Sequence, residues 1–177
     1  ALLQWIETGG VLILTRGAVS WAQQLEWLPL PDTAALSTRA LAYGDMAASE
    51  GAQQVGGAVL EVELDPTHPL AFGIDLPAIG LMRRGRTGLL APEGNPFTVA
   101  ASYSSAPLLD GYLPDGYEAE LAGEPAILAV PRGDGVIVAF ADDPAFRAVW
   151  WVGQRLISNA VAFAEVIRAP SLEFERR

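Results

Sequence analysis

The chain has 177 residues, the size of one ordinary domain, and 51% of them are hydrophobic against 18% charged, which excludes a disordered or solvating segment and predicts a sizeable core. The formal charge is −10 and all 11 basic residues are arginine; the one short basic run, Arg83, Arg84 and Arg86, reads as a solvated turn, so nucleic acid is excluded as a partner. No cysteine is present, which excludes disulfides, thiolate metal sites and cysteine catalysis, and no apolar run approaches the ~20 residues of a membrane span.

"ALLQWIETGG" opens in mid-pattern: Leu2, Leu3, Trp5 and Ile6 read as the last turns of an amphipathic helix closed by Gly9 and Gly10, which predicts a chain cut from a longer polypeptide. "VLILT" (11–15) is a continuous apolar run bounded by glycines, the pattern of a strand buried on both faces of a parallel sheet. "AVSWAQQLEW" follows with Val19, Trp21, Ala22 and Leu25 at helical spacing and is stopped by "LPLP". The joint at Thr15 to Gly17 is therefore a strand-to-helix elbow, the place where many α/β enzymes hold a nucleophile.

Between residues 29 and 57 the signals weaken, with one helical stretch near "TAALSTRALAYG". "GAVLEVELD" (57–65) alternates like a half-exposed or edge strand and leaves through the two prolines of "PTHPLAFGI". Short strands are expected around "AIGLM", "GLLAP" and "FTVAASY", then a loop, "SSAPLLDGYLPDGY". "PAILAV" and "GVIVAFAD", joined by "PRGDG", predict an antiparallel hairpin at the sheet edge. Asp142-Asp143-Pro144 reads as the N-cap of a closing helix through "WWVGQRLISNAVAFAEVI", with Trp151, Leu156, Ala160, Phe163 and Ile167 as its apolar residues, and "EFERR" as a frayed tail.

Four residues are candidates for catalysis. Thr15 stands at the elbow but needs a base, and the chain has one histidine, His68; the simpler reading of Thr15 is the end of a buried strand. His68 lacks the second imidazole a zinc site would use, so it reads as a loop residue bonded to nearby backbone, and no metal site is expected. The third and fourth candidates, Asp142 and Asp143, follow an apolar strand as catalytic carboxylates often do, yet the favoured reading is a helix cap for one and a salt bridge to Arg147 for the other. For binding, Arg147 has the planar fork that suits a carboxylate, and Tyr103 and Tyr112 lie with Tyr117 and Asp110 in a segment of the kind that carries recognition.

Taken together, "LLQWIETGGVLIL", "HPLAFGI", "ASYSSAPLLDGYL", "LAGEPAILAVPRGDGVIVAFADDPAFRAVW" and "RLISNAVAF" resemble the C-terminal, class I glutamine amidotransferase-like domain of bacterial zinc carboxypeptidase-like proteins. The most specific piece is Phe-x-Asp-Asp-Pro-x-Phe-Arg-x-x-Trp from Phe140 to Trp150 with Ser158-Asn159-Ala160 beyond it, a pattern found more loosely in trehalose-utilisation-like and galactosidase-associated amidotransferase-like domains. The resemblance implies one domain over residues 1–177: an α/β, flavodoxin-like three-layer sandwich, mostly parallel in its central sheet with antiparallel edge strands. It places Thr15 where true amidotransferases carry cysteine, and supplies neither their histidine nor their glutamate partner. The pattern of zinc carboxypeptidases is absent too, since His68 is followed by Pro69, Leu70 and Ala71.

The expectation is a non-catalytic accessory domain that packs on or modulates the peptidase domain of its own polypeptide. Zinc and hydrolysis would belong to that other domain, no cofactor to this one, and the resemblance implies an exported protein. Two alternatives stand beside it: a diverged amidotransferase-like hydrolase using Thr15 or the aspartate pair, and a small-ligand or peptide-binding module using Arg147 and the tyrosines. Oligomeric state is open.

Overall fold

The computed structural model describes residues 1–31 and 51–168. Helix α1 (Leu2–Glu7) buries Ile6 and ends where Gly9, at φ 111°, turns the chain so that the Gly10 N–H returns to the carbonyls of Trp5 and Ile6. Strand β1 (Val11–Thr15) and helix α2 (Gly17–Gln24) follow as expected, although Trp21 and Leu25, taken as inward residues, are exposed and the buried ones are Val19, Ala22 and Gln23. The helical stretch expected near "TAALSTRALAYG" lies outside the described residues, as does the "EFERR" tail.

The remaining strands are β2 (Ala58–Leu64), β3 (Ala78–Arg83), β4 (Val99–Gly111), β5 (Pro125–Arg132) and β6 (Gly135–Phe140). They form one sheet in the order β1-β6-β5-β4-β2-β3. Of its five pairings only β1 with β6 is parallel. This overturns the flavodoxin-like sandwich: the sheet is mixed, mostly antiparallel, curled into a half-barrel and accompanied by few helices.

The β5–β6 hairpin forms with the expected pairing, from Ile127 opposite Phe140 to Arg132 opposite Gly135, but it sits inside the sheet between β1 and β4. Its neighbours explain its composition. Val136, Val138 and Phe140 face one core with Ile127, Leu156 and Ala160, while Ile137 and Ala139 face a second core with Leu128, Ile6, Val19 and Ala22. Both faces are covered, so the strand carries the unbroken apolar run that elsewhere marks a parallel sheet. β1 is the edge instead: its residues touch both cores, yet most remain half-buried, and among the described residues no strand pairs with its other side.

β2 is half-exposed as expected but internal, flanked by β3 and β4. "GLLAP" forms no strand, whereas β4 continues through "SSAPLLDG", which had the composition of a loop. Pro107 is tolerated there because β4 bulges: from the Val62–Tyr103 pair to the Leu60–Leu108 pair the chain takes two steps on β2 and five on β4. Bulges bend and twist a strand. With the bend, β3 at the far edge returns toward the segment after β6, where Met82 and Asp143 form an isolated antiparallel bridge.

Helix α3 (Tyr117–Leu121) caps the concave core, and the closing helix starts later than Pro144 predicts. A 3-10 turn (Phe146–Ala148) intervenes, with Arg147 at φ 51°, before helices α4 (Trp151–Ala162) and α5 (Ala164–Arg168). Leu156, Ala160 and Ile167 are buried as expected, but Trp151 is 85% exposed. Among the described residues, no helix is long and apolar enough to cross a membrane.

Candidate functional site

The elbow is present, and its strained residue is not Thr15. Thr15 ends β1 in ordinary pairing opposite Phe140, and the next residue, Arg16, turns into α2 with φ 51° and ψ −120°. That combination lies outside the regions open to L-residues and costs about 1–3 kcal/mol wherever it is held. In a nucleophile elbow the reactive side chain belongs to the residue on the sharp turn. Here that residue is an arginine, which carries five N–H donors, has no lone pair to attack with and stays protonated in water. Arg16 reaches toward Asp143 with Nη1 3.7 Å from Oδ2, a half-exposed pair worth at most about 1 kcal/mol.

Asp142 and Asp143, adjacent in sequence, take different roles. Asp143 accepts the Ala145 N–H at 3.1 Å and donates its own N–H to Met82 O, so it shapes a turn rather than a helix end. Asp142 is buried and faces Arg83, with 3.1 Å from Nη1 to Oδ1 and both side chains 1% exposed. The salt bridge expected from the aspartates to Arg147 is absent among the described residues; the Arg147 guanidinium lies 5.1 Å from the Phe146 ring centre.

Around Arg83 a closed network forms. Nη1 also donates to the Tyr103 hydroxyl (2.6 Å), Nη2 donates to the Tyr117 hydroxyl (2.7 Å) and to Thr87 O, and the Tyr103 hydroxyl donates to Asp142 Oδ2 (2.6 Å). Arg83 ends β3 and Asp142 follows β6, so the ion pair fastens the same seam as the Met82–Asp143 bridge. It is the clasp of the half-barrel.

Burial raises the Asp142 carboxyl above the usual carboxylate range, while Arg83 and the Tyr103 hydroxyl hold that rise back. Burial likewise raises both tyrosines, Tyr103 strongly, against the pull of Arg83, so each serves as a neutral hydrogen-bonding group near pH 7. For Arg83, burial opposes the charge but is outweighed by Tyr103, Asp142 and Tyr117, and the guanidinium stays protonated. Beside the network, Arg86 stacks 4.0 Å from the Tyr117 ring centre and pairs with Glu120. The solvated turn expected of this arginine run holds for the exposed Arg84 but not for Arg83, which is buried. The signal was present in β3 itself, since Arg83 is in phase with the inward Ile79 and Leu81.

His68 lies elsewhere. It caps the 3-10 turn Pro69–Ala71, its Nδ1 accepting the Leu70 N–H at 3.1 Å, in agreement with a loop histidine bonded to nearby backbone. Asn159 of α4 fastens the same turn by donating to Leu70 O and Phe72 O, 2.8 Å each. His68 shares a pocket with Pro131, whose partner in the hairpin is Val136, whereas Thr15 pairs with Phe140. Ala129, opposite Val138, lines that pocket too, so along the hairpin the pocket lies two to four residues, about 7–13 Å, from the level of Thr15, and three further strands lie between β1 and β2, from which His68 follows. Arg16, after Thr15, reaches Asp143, whereas His68 bonds to Leu70, so among the described residues Thr15, His68 and the aspartates share no hydrogen bond or ion pair.

Tyr103 is buried in the clasp, while Tyr112 is half-exposed and donates to Ala52 O at 2.8 Å, so the two tyrosines share no surface. Among the described residues, no group of three or more histidines, aspartates and glutamates could hold a metal ion. No family model, curated protein or solved structure matches the chain.

Proposed function

We propose that this chain is a non-catalytic accessory domain that packs on or modulates a catalytic domain of its own polypeptide. The observation that carries the reading is Arg16 at the elbow: the backbone keeps the geometry of a reactive turn while the side chain there has no nucleophilic chemistry. The neighbouring carboxylate, Asp142, has both oxygens committed inside the clasp and is closed to substrate. Asp142 has its place in holding the fold, and Arg16 has no reactive atom to offer it.

The outer sides of α1 and α2 supply a surface for such packing. Leu2, Trp5, Trp21 and Leu25 are each 40–50% exposed there, while Ile6, Val19 and Ala22 of the same helices enter the core. Large exposed aromatics, here on two helices that share one core, are a feature of surfaces that meet another protein surface. The resemblance in the sequence names the catalytic neighbour as a zinc carboxypeptidase-like domain, to which the zinc would belong.

The test compares the polypeptide carrying residues 1–177 with a version lacking them, reading peptide turnover and melting temperature. Loss of several degrees in melting temperature, or a changed turnover, is the expected result. Identical values for both properties would overturn the proposal.

A further inference from the structure

We infer that the cleft between the start of β2, the end of β4 and the Phe146–Ala148 turn binds a small linear zwitterion, its carboxylate on Arg84 and Arg147 and its ammonium on Asp110. The placement follows from the sheet register. Asp110 of β4 lies opposite Val59 of β2, and Val59 opposite Met82 of β3, so the three share one face of the sheet across two strand spacings, about 10 Å. Beyond Met82 the same row meets Asp143 in the isolated bridge, which brings the Phe146–Ala148 turn alongside β3.

The cleft has a volume of about 340 Å³, with Val59, Met82 and Phe146 as an apolar floor and Arg84, Arg147 and Asp110 around it. Three charged groups line one space, yet among the described residues none of them forms an ion pair. Asp110 Oδ1 accepts the Gly111 N–H at 2.8 Å, and its second oxygen has no partner there. The Arg147 guanidinium lies by the Phe146 ring, which leaves its N–H donors open. In a chain with 21 acidic residues against 11 arginines, two arginines without a carboxylate in one cleft point to an anionic group from outside the chain.

The turn that presents Arg147 is held at a conformational cost. Arg147, at φ 51°, and Ala148, at φ 55°, are consecutive non-glycine residues in the left-handed region that favours glycine. Gln154 of α4 keeps them there by donating from Nε2 to Ala148 O at 2.8 Å. Strain fixed by its surroundings in this way is a feature of ligand clamps. The charges then select the ligand. A carboxylate matches the planar guanidinium fork, but an anion alone meets Asp110 and a cation alone meets the two arginines. Opposite charges at the two ends of a methylene chain answer all three groups and cover the apolar floor, which makes the ligand class an ω-amino carboxylate.

Met82 lines the floor and is one of two methionines in the chain, so labelling the full protein with 13C-methyl methionine, with Met82→Leu to assign the signal, reads binding without any activity. The probes are 6-aminohexanoate, hexanoate, hexylamine and glycine: both charges far apart, either charge alone, and both charges adjacent. 6-Aminohexanoate is expected to shift the Met82 methyl resonance saturably and to bind about fivefold more tightly than each of the others, the most that one exposed ion pair supplies. Asp110→Asn is expected to bring its affinity down to that of hexanoate, and Arg84→Gln combined with Arg147→Gln to that of hexylamine. All three side chains are exposed, so these variants keep the fold. A Met82 signal indifferent to 6-aminohexanoate, or any of the other probes binding as tightly, overturns the inference. So does undiminished affinity for 6-aminohexanoate in either variant.

Discussion

Replacing Arg83 by methionine tests the clasp most severely. The variant loses the donors to Asp142, Tyr103, Thr87 O and Tyr117, and leaves a carboxylate that is 1% exposed with the Tyr103 hydroxyl as its remaining partner. Breaking a buried pair from one side costs about 3–5 kcal/mol, a large part of the roughly 5–15 kcal/mol that holds a domain together. With a urea m value of about 2 kcal/mol/M, a loss near 4 kcal/mol moves the unfolding midpoint down by about 2 M. The five tryptophans give the fluorescence signal for the measurement. Arg83→Met with Asp142→Leu removes both charges, and should be more stable than Arg83→Met alone by about 2 kcal/mol, since no orphaned carboxylate is left. A single variant within 1 kcal/mol of wild type, or a double variant whose loss is the plain sum of its parts, would refute the clasp.

Other consequences can be measured on the same protein. Arg16→Gly should raise stability by about 1 kcal/mol, because glycine accepts φ 51° and the exposed pair with Asp143 contributes little; a lower melting temperature would contradict the strain at the elbow. Gly135→Ala should lower stability by more than about 2 kcal/mol, because a Cβ there overlaps the carbonyl oxygens of Ile6 and Gly10 where α1 ends against β6; retention of wild-type stability would mean that this crossing is looser than described. His68 is held neutral, with a folded pKa below its unfolded value of about 6.5, so the unfolded chain binds the extra proton as pH falls. Its contribution is complete above pH 6.5 and lost below it toward the folded pKa. The difference in melting temperature between wild type and His68→Asn should therefore shrink on acidification, and a constant difference from pH 7.5 to 5 would count against it.

Much of the local structure was written in the sequence, and little of the sheet's connectivity was. The hairpin is legible because two apolar strands flank a five-residue link rich in glycine, and α1 ends at its glycines as read. Its place inside the sheet was not, since an apolar run reports coverage of both faces and says nothing about which strands lie beside it. The first part of β4 is legible in "FTVAASY", but its continuation is not, because Pro107, Gly111 and the serines resemble a loop and only the bulged register against β2 gives them strand geometry. The closing helix was read as starting at Pro144, a position with N-cap chemistry; there the chain makes a kinked 3-10 turn, and the aspartates serve the seam.

The site shows the same division. Position 15–17 as an elbow follows from a strand pattern meeting a helix pattern, but which residue takes the strain depends on where pairing with β6 stops, one residue later than Thr15 would need. Asp142 and Tyr103 were both singled out as functional candidates, and the structure brings them together through Arg83. What hid that arginine was its company: beside Arg84 and Arg86 it looks like surface, and only the inward phase shared with Ile79 and Leu81 distinguishes it. The link from Arg83 to Asp142 spans 59 residues of chain and is created by the curl, which no local pattern encodes.

Whether the elbow is chemically silent is decided most directly by exposing these 177 residues to a fluorophosphonate, which labels activated hydroxyls, and mapping any adduct by mass spectrometry. An inert elbow leaves the Thr15 peptide at its unmodified mass, in wild type and in Arg16→Ala alike. An adduct on Thr15, accompanied by amide or ester turnover that disappears in Thr15→Ala, would contradict the account.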